Sequence, residues 1–146
     1  MSPPPGGAGT RSGTVFQTIV QPALERNGYQ ISRQSIVGKG LGGGSHRLDY
    51  LALTPSGEKL VISLKWQEVS GTADEKIPFE VIKLLELVEQ DPSFARAYII
   101  LGGDGMRPRL RKYYTDGSLA RWIIDSDKVR CLTLNQFIKA CNRQAL

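Results

Sequence analysis

Histidine and cysteine are scarce in this 146-residue chain, and the scarcity removes several chemistries at once. A lone histidine, His46, cannot build a zinc site, and no cysteine lies near it in sequence. His46 reads as a surface residue or as a contact from a loop to a bound ligand. Cys131 and Cys141 have neither a disulfide framework nor zinc-ligand spacing around them, and read as reduced small hydrophobes. No apolar run approaches the roughly 18 residues of a membrane span. The opening MSPPPGGAGTRSG is Pro/Gly-rich and lacks the apolar stretch of a signal peptide. The glycines at 38–44 lack the GKS or GKT ending of a phosphate loop. No internal repeat is present. The expectation is a cytoplasmic protein with a flexible leader, 1–13, and a single domain, 14–146.

Basic charge is what the chain has in excess. Lys and Arg number 19 against 14 Asp and Glu, a net charge of +5, and a hydrophobic fraction of 40% is enough to fold. The basic residues cluster: Arg107, Arg109, Arg111, Lys112 and Arg121 fall together with one acid, Asp116, and with Tyr113, Tyr114 and Trp122 interleaved. The cluster is either a phosphate-binding patch or a solvated basic face.

Patterning places the elements. Val15, Ile19 and Leu24 predict a helix over 14–27, stopped by Asn27-Gly28 and kinked or split at Pro22. Residues 29–37 read as a strand, followed by a glycine-rich loop carrying Lys39 that is either a ligand-contacting loop or a plain connector. Strands are expected over 47–53 and 58–66, joined by Thr54-Pro55-Ser56-Gly57, where proline presets a type I turn and glycine supplies a bulge with φ > 0. That connection pairs Thr54 with Glu58. Counting outward sets Asp49 opposite Ser63, with Lys65 two residues on along the same face. Thr72 and Glu75 fit a capping box. Ile77, Val81, Leu84, Leu85 and Val88 form one stripe of a helix over 77–90, with Pro78 in its first turn. A buried strand over 96–101, a partly helical stretch over 107–122, a strand over 129–133 and a helix over 134–144 complete the chain. This alternation predicts an α/β domain: a mixed sheet flanked by helices on both faces.

The hairpin residues Leu48 to Leu53 and Val61 to Gln67, in this element order, resemble the PD-(D/E)xK nuclease superfamily, which includes restriction endonucleases and Holliday-junction resolvases. The resemblance spans about residues 14–144. It implies a restriction-endonuclease-like fold and hydrolysis of DNA phosphodiester bonds with Mg²⁺, or Mn²⁺, and with no organic cofactor. Asp49 would be a metal ligand, because carboxylates suit a hard cation. Lys65 would orient the attacking water. DNA is the implied partner, held by Arg107, Arg109, Arg111, Lys112, Arg121 and Lys39. A homodimer would supply one site per strand.

Two positions depart from the superfamily pattern. Ser63 occupies the slot two before the lysine, where Glu or Asp is usual. Some restriction enzymes of the superfamily carry Ser-x-Lys and reach the metal with a glutamate from the following helix. Glu80 lies near that distance, at the edge of the apolar stripe, and is either that ligand or a solvated helix residue. Glu75 points away from the stripe, and Glu68, where the strand continues to it, points to the face opposite Lys65. Gln17 stands where many members have a glutamate in the first helix, and Gln67 shares the face of Lys65 as a contact for DNA or for a metal-bound water. The alternative to migration of the acid is a decayed site on a DNA-binding module or subunit. An RNA-processing endonuclease is a third reading.

Overall fold

The hairpin turn sets the register of the whole sheet. In the computed structural model, which describes residues 13–33, 36–39, 45–47 and 50–146, with side chains for 13–32 and 50–146, the Gly57 N–H donates to the Thr54 carbonyl at 2.9 Å and the Thr54 N–H to the Glu58 carbonyl at 2.8 Å. Gly57 has φ +92°, the left-handed bulge position that glycine tolerates. The strands leaving this turn are β4 (Tyr50–Leu53) and β5 (Lys59–Trp66), paired antiparallel from Leu53↔Lys59 to Tyr50↔Ile62. The pairing follows the count made from the turn residues alone.

β5 is the central strand of a five-stranded sheet. β1 (Gln30–Arg33) lies antiparallel beyond β4, and β6 (Phe94–Gly102) and β7 (Val129–Thr133) follow on the other side as parallel neighbours. The sheet is therefore mixed and open, as expected. A separate two-stranded sheet pairs β2 (Ile36–Lys39) with β3 (Ser45–Arg47). The strand expected over 29–37 is thus two strands in different sheets, and so is the one expected over 47–53. Apolar patterning marks extended backbone but says nothing about which partner the backbone pairs with.

Helices cover both faces. α1 (Gln21–Arg26) follows a π-helical turn over Phe16–Val20, in which the Gln21 N–H donates to the Phe16 carbonyl. Proline has no N–H to offer the Thr18 carbonyl four residues back, so the split expected at Pro22 takes the form of a π turn preceding it. α2 (Ile77–Gln90) has the predicted bounds and buries all five stripe residues. α3 (Pro108–Thr115) and a 3₁₀ turn over Ser118–Arg121 make up the partly helical basic stretch. α4 (Leu134–Asn142) starts with a capping box from Thr133 and Gln136. α2 and α3 bury Val81, Leu84 and Tyr114 against Val61, Ile99 and Cys131 on the front of the sheet. The first helices and α4 bury Phe16, Leu24 and Phe137 against Leu60, Ile62 and Tyr98 on the back. Among the described residues no helix is long and apolar enough to cross a membrane.

Candidate active site

β5 alternates its side chains between the two layers. Leu60, Ile62 and Leu64 fill the back core, while Val61 packs in the front one. Ser63 and Lys65 continue the front row, in register with Ile99 and Leu101 of β6. Ser63 is 2% exposed, whereas the Lys65 side chain, nearer the strand's end, is 39% exposed. The serine is thus held in the core, and the ammonium emerges at the rim.

α2 delivers the acid. Glu80 sits in the first turn of that helix, where the N-terminal end of the dipole favours a carboxylate. Its side chain is 13% exposed and turns toward the sheet. The Ser63 hydroxyl donates to Glu80 Oε1 at 3.3 Å. Lys65 Nζ stands 3.8 Å from Glu80 Oε2, and Lys83 Nζ, one helical turn on, 3.4 Å from the same oxygen. Lys65, on the central strand, thus has Glu80 as an anionic partner. Lys83 was not expected at the site; its only signal in the sequence is the i, i+3 spacing from Glu80.

Asp49 lies outside the described residues. The register of β4 with β5, from which its position opposite Ser63 was counted, is the one observed over residues 50–53. The side chains of Lys39 and His46 likewise lie outside the described ones, as does most of the leader over 1–13. Gln17 is exposed on the π turn. The Trp66 indole donates to the Glu68 carboxylate; β5 ends at Trp66, so the alternation that set Glu68 opposite Lys65 does not extend to it.

Gln67 has a different employment from the one expected. It is 7% exposed, and its amide N–H groups donate to the carbonyls of Val69 at 3.1 Å and Gly105 at 3.0 Å. Its Oε1 accepts from the Asp74 N–H at 2.9 Å. Both donors and the carbonyl are engaged with backbone, so the side chain pins loops beside the site and has no free group to offer DNA. The glycines after β6 make this contact possible. Gly103 has φ +100°, and a Cβ there would overlap the Gln67 backbone; one at Gly105 would overlap that of Val69.

The capping box at Thr72 is not formed: the hydroxyl makes no cap, and the segment Ala73–Lys76 is a 3₁₀ turn. Glu75 turns outward to Arg107, whose Nη1 donates to it at 2.8 Å. Arg107 also donates from Nη2 to the Gly71 carbonyl at 3.1 Å and from its backbone N–H to Asp74 Oδ2 at 3.0 Å. The hydrogen bond to Glu75, then the charge of Asp74, raise the Arg107 pKa further. Arg107 is thereby a structural tie between α3 and the 3₁₀ turn, unlike its neighbours. Asp74, which the sequence reading overlooked, is fully buried; its Oδ1 has no hydrogen-bond partner among the described residues.

Arg109, Lys112 and Arg121 are exposed and Arg111 is half-buried. The Arg121 guanidinium lies 5.3 Å from the Trp122 ring centre, and the Trp122 indole donates to the Tyr113 hydroxyl at 2.7 Å. Arg109, Leu110 and Tyr113 line an open groove of about 930 Å³ that runs to Glu75. Neither cysteine belongs to the site. Burial pushes the Cys131 thiol up to about 12, so it is protonated at neutral pH and is no nucleophile there.

Among the described residues no three His, Cys, Asp or Glu side chains gather as a ready-made metal site. The donor chemistry around Glu80 nevertheless suits a hard divalent cation. The Glu80 carboxylate offers two hard oxygen donors, with the Ser63 hydroxyl beside one and the Lys65 and Lys83 ammonium groups, which a cation would have to displace or tolerate, beside the other.

A sequence model of the PD-(D/E)XK nuclease superfamily domain matches residues 8–145. No curated protein matches the chain. Among solved structures, a repair endonuclease from Pyrococcus abyssi is similar at a TM-score of 0.42 and 12% identity, over 90% of this chain and 48% of that one. This chain therefore spans about half the length of that enzyme chain.

Proposed function

The chain belongs to the PD-(D/E)XK nuclease superfamily, and from that premise we propose that it is a metal-dependent endonuclease of DNA, with Asp49, Ser63, Lys65 and Glu80 as its site. One observation carries the proposal: the Glu80 carboxylate, from α2, reaches the Ser63 hydroxyl at 3.3 Å and approaches Lys65 at 3.8 Å. A carboxylate is thereby present at the slot where the strand itself supplies only a serine.

In this reading Glu80 and Asp49 hold Mg²⁺ or Mn²⁺, with the Ser63 hydroxyl fixing the Glu80 carboxylate. When bound, the ion would acidify a water and offset charge on the phosphate. Lys65 holds its Nζ beside Glu80 and remains partly open to solvent, so it is able to hydrogen-bond a water and orient its lone pair toward phosphorus. Arg109, Arg111, Lys112, Arg121 and Lys39 hold DNA phosphates. Binding should then weaken steeply with salt. The reading takes the protein as a cytoplasmic homodimer, each chain a leader, 1–13, and one nuclease domain, 14–146.

Neutral Ser63 and Gln17 favour a second reading, a DNA-binding subunit that no longer cuts. Incubation with plasmid, linear and four-way-junction DNA, in Mg²⁺, Mn²⁺ or EDTA, separates the two. We expect metal-dependent cutting that Lys65→Ala abolishes while DNA affinity is retained. Binding without cutting in either metal would favour the decayed subunit, and a Lys65→Ala variant as fast as the unaltered protein would place the site elsewhere.

A further inference from the structure

Two ammonium groups share one oxygen of Glu80, and only one of them has a place in the reaction just described. Lys83 Nζ lies 3.4 Å from Glu80 Oε2, closer than Lys65 Nζ at 3.8 Å. Lys83 Nζ also lies 5.8 Å from the ring centre of Phe79, which is 59% exposed one turn before it on α2. We propose that Lys83 is an internal counterion of the metal site: it neutralises Glu80 in the metal-free protein, competes with the divalent cation for that carboxylate, and so sets metal affinity. The proposal rests on the reading of Glu80 as a metal ligand.

The geometry distinguishes the two lysines. Lys65 projects from a central strand whose backbone is fixed by pairing with β6 at Leu101. Lys83 reaches Glu80 along the helix surface, and its side chain is 37% exposed. With its ammonium end this open to solvent, the lysine of such an i, i+3 pair is readily exchanged. On release the ammonium keeps the Phe79 ring within cation–π range. A conspicuously exposed aromatic residue thus acquires a purpose, as the alternative partner of the displaced lysine. Lys83 is a positioning residue, acting through Glu80 and not on the substrate.

The size of the effect follows from Coulomb's law. A single and a double positive charge about 5 Å apart in a water-like medium repel enough to weaken metal binding roughly tenfold. Screening at about 0.15 M salt reduces that to roughly fourfold. Removal of the Lys83 charge should therefore tighten metal binding, and the gain should shrink with salt.

Calorimetric titration of the metal-free protein with MnCl₂ tests this. Lys83→Met is expected to bind Mn²⁺ about tenfold more tightly at low ionic strength and about fourfold at 0.15 M. Lys83→Arg should behave as the unaltered protein, and Glu80→Gln should lose the binding. A merely structural lysine would leave the affinity unchanged or lower it on removal. Thermal melting should be the same for all variants, and Lys83→Gln repeats the measurement with a polar neutral stem should Lys83→Met lose its fold. Unchanged or weaker affinity in a folded, uncharged variant overturns the counterion role while Glu80→Gln still identifies the ligand. Undiminished binding by Glu80→Gln overturns both.

Discussion

Single side chains around the candidate site divide into those that meet at the Glu80 carboxylate and those that hold the surrounding backbone. Glu80, Ser63 and Lys65 form the first group. Gln67 belongs to the second, although it lies two residues beyond Lys65 in an adjoining position. Its amide satisfies the Val69 and Gly105 carbonyls and the Asp74 N–H, three backbone groups that would otherwise need other partners. Leaving buried polar groups unpaired costs about 1–3 kcal/mol each. Gln67→Leu should therefore destabilise the fold by at least about 3 kcal/mol, read as a lower urea midpoint. Native-like stability in that variant would show that the clamp is dispensable. Gln67 also marks a boundary of sequence reasoning. Strand alternation placed it on the face of Lys65, but β5 ends at Trp66, and beyond it the side chain answers to the loops.

Elements were legible where a local rule fixed them. The Thr54–Gly57 turn allows one register, so the pairing of β4 with β5 could be counted from four residues. The stripe from Ile77 to Val88 predicted α2 with its bounds, and the place of Glu80 at the edge of that stripe left it either solvated or turned to the sheet, of which the structure shows the second. What stayed hidden depends on contacts distant in sequence. The partition of β1 from β2 is decided by which strand each one meets. The union of Asp74 and Arg107 joins groups 33 residues apart through a cap on α3. Its one trace in the sequence is the Gly102-Gly103-Asp104-Gly105 run, a mark of close backbone approach. Gly103→Ala tests that approach. The added Cβ would overlap the Gln67 backbone at a residue with φ +100°. The clash and the left-handed strain together should cost roughly 3 kcal/mol or more. A melting temperature equal to that of the unaltered protein would mean that the loops separate freely.

The whole molecule joins these parts into one nuclease-superfamily domain. A mixed sheet holds the lysine and the serine in its central strand, and a helix on the front face returns the carboxylate that the strand lacks. The basic face formed by α3 and the following turn would hold DNA, with Arg107 reserved for holding α3 in place. The claim that unites the account is that Glu80 does the work of the missing acid at position 63. Its most direct test is the initial rate of DNA cleavage in Mn²⁺ by Glu80→Gln, with Ser63→Asp added to the same chain. Glu80→Gln alone should lose at least about a hundredfold in rate, the scale expected when a group essential to catalysis is removed. Ser63→Asp should restore part of that loss by returning the acid to the strand. A Glu80→Gln variant that cuts at the rate of the unaltered protein would contradict it.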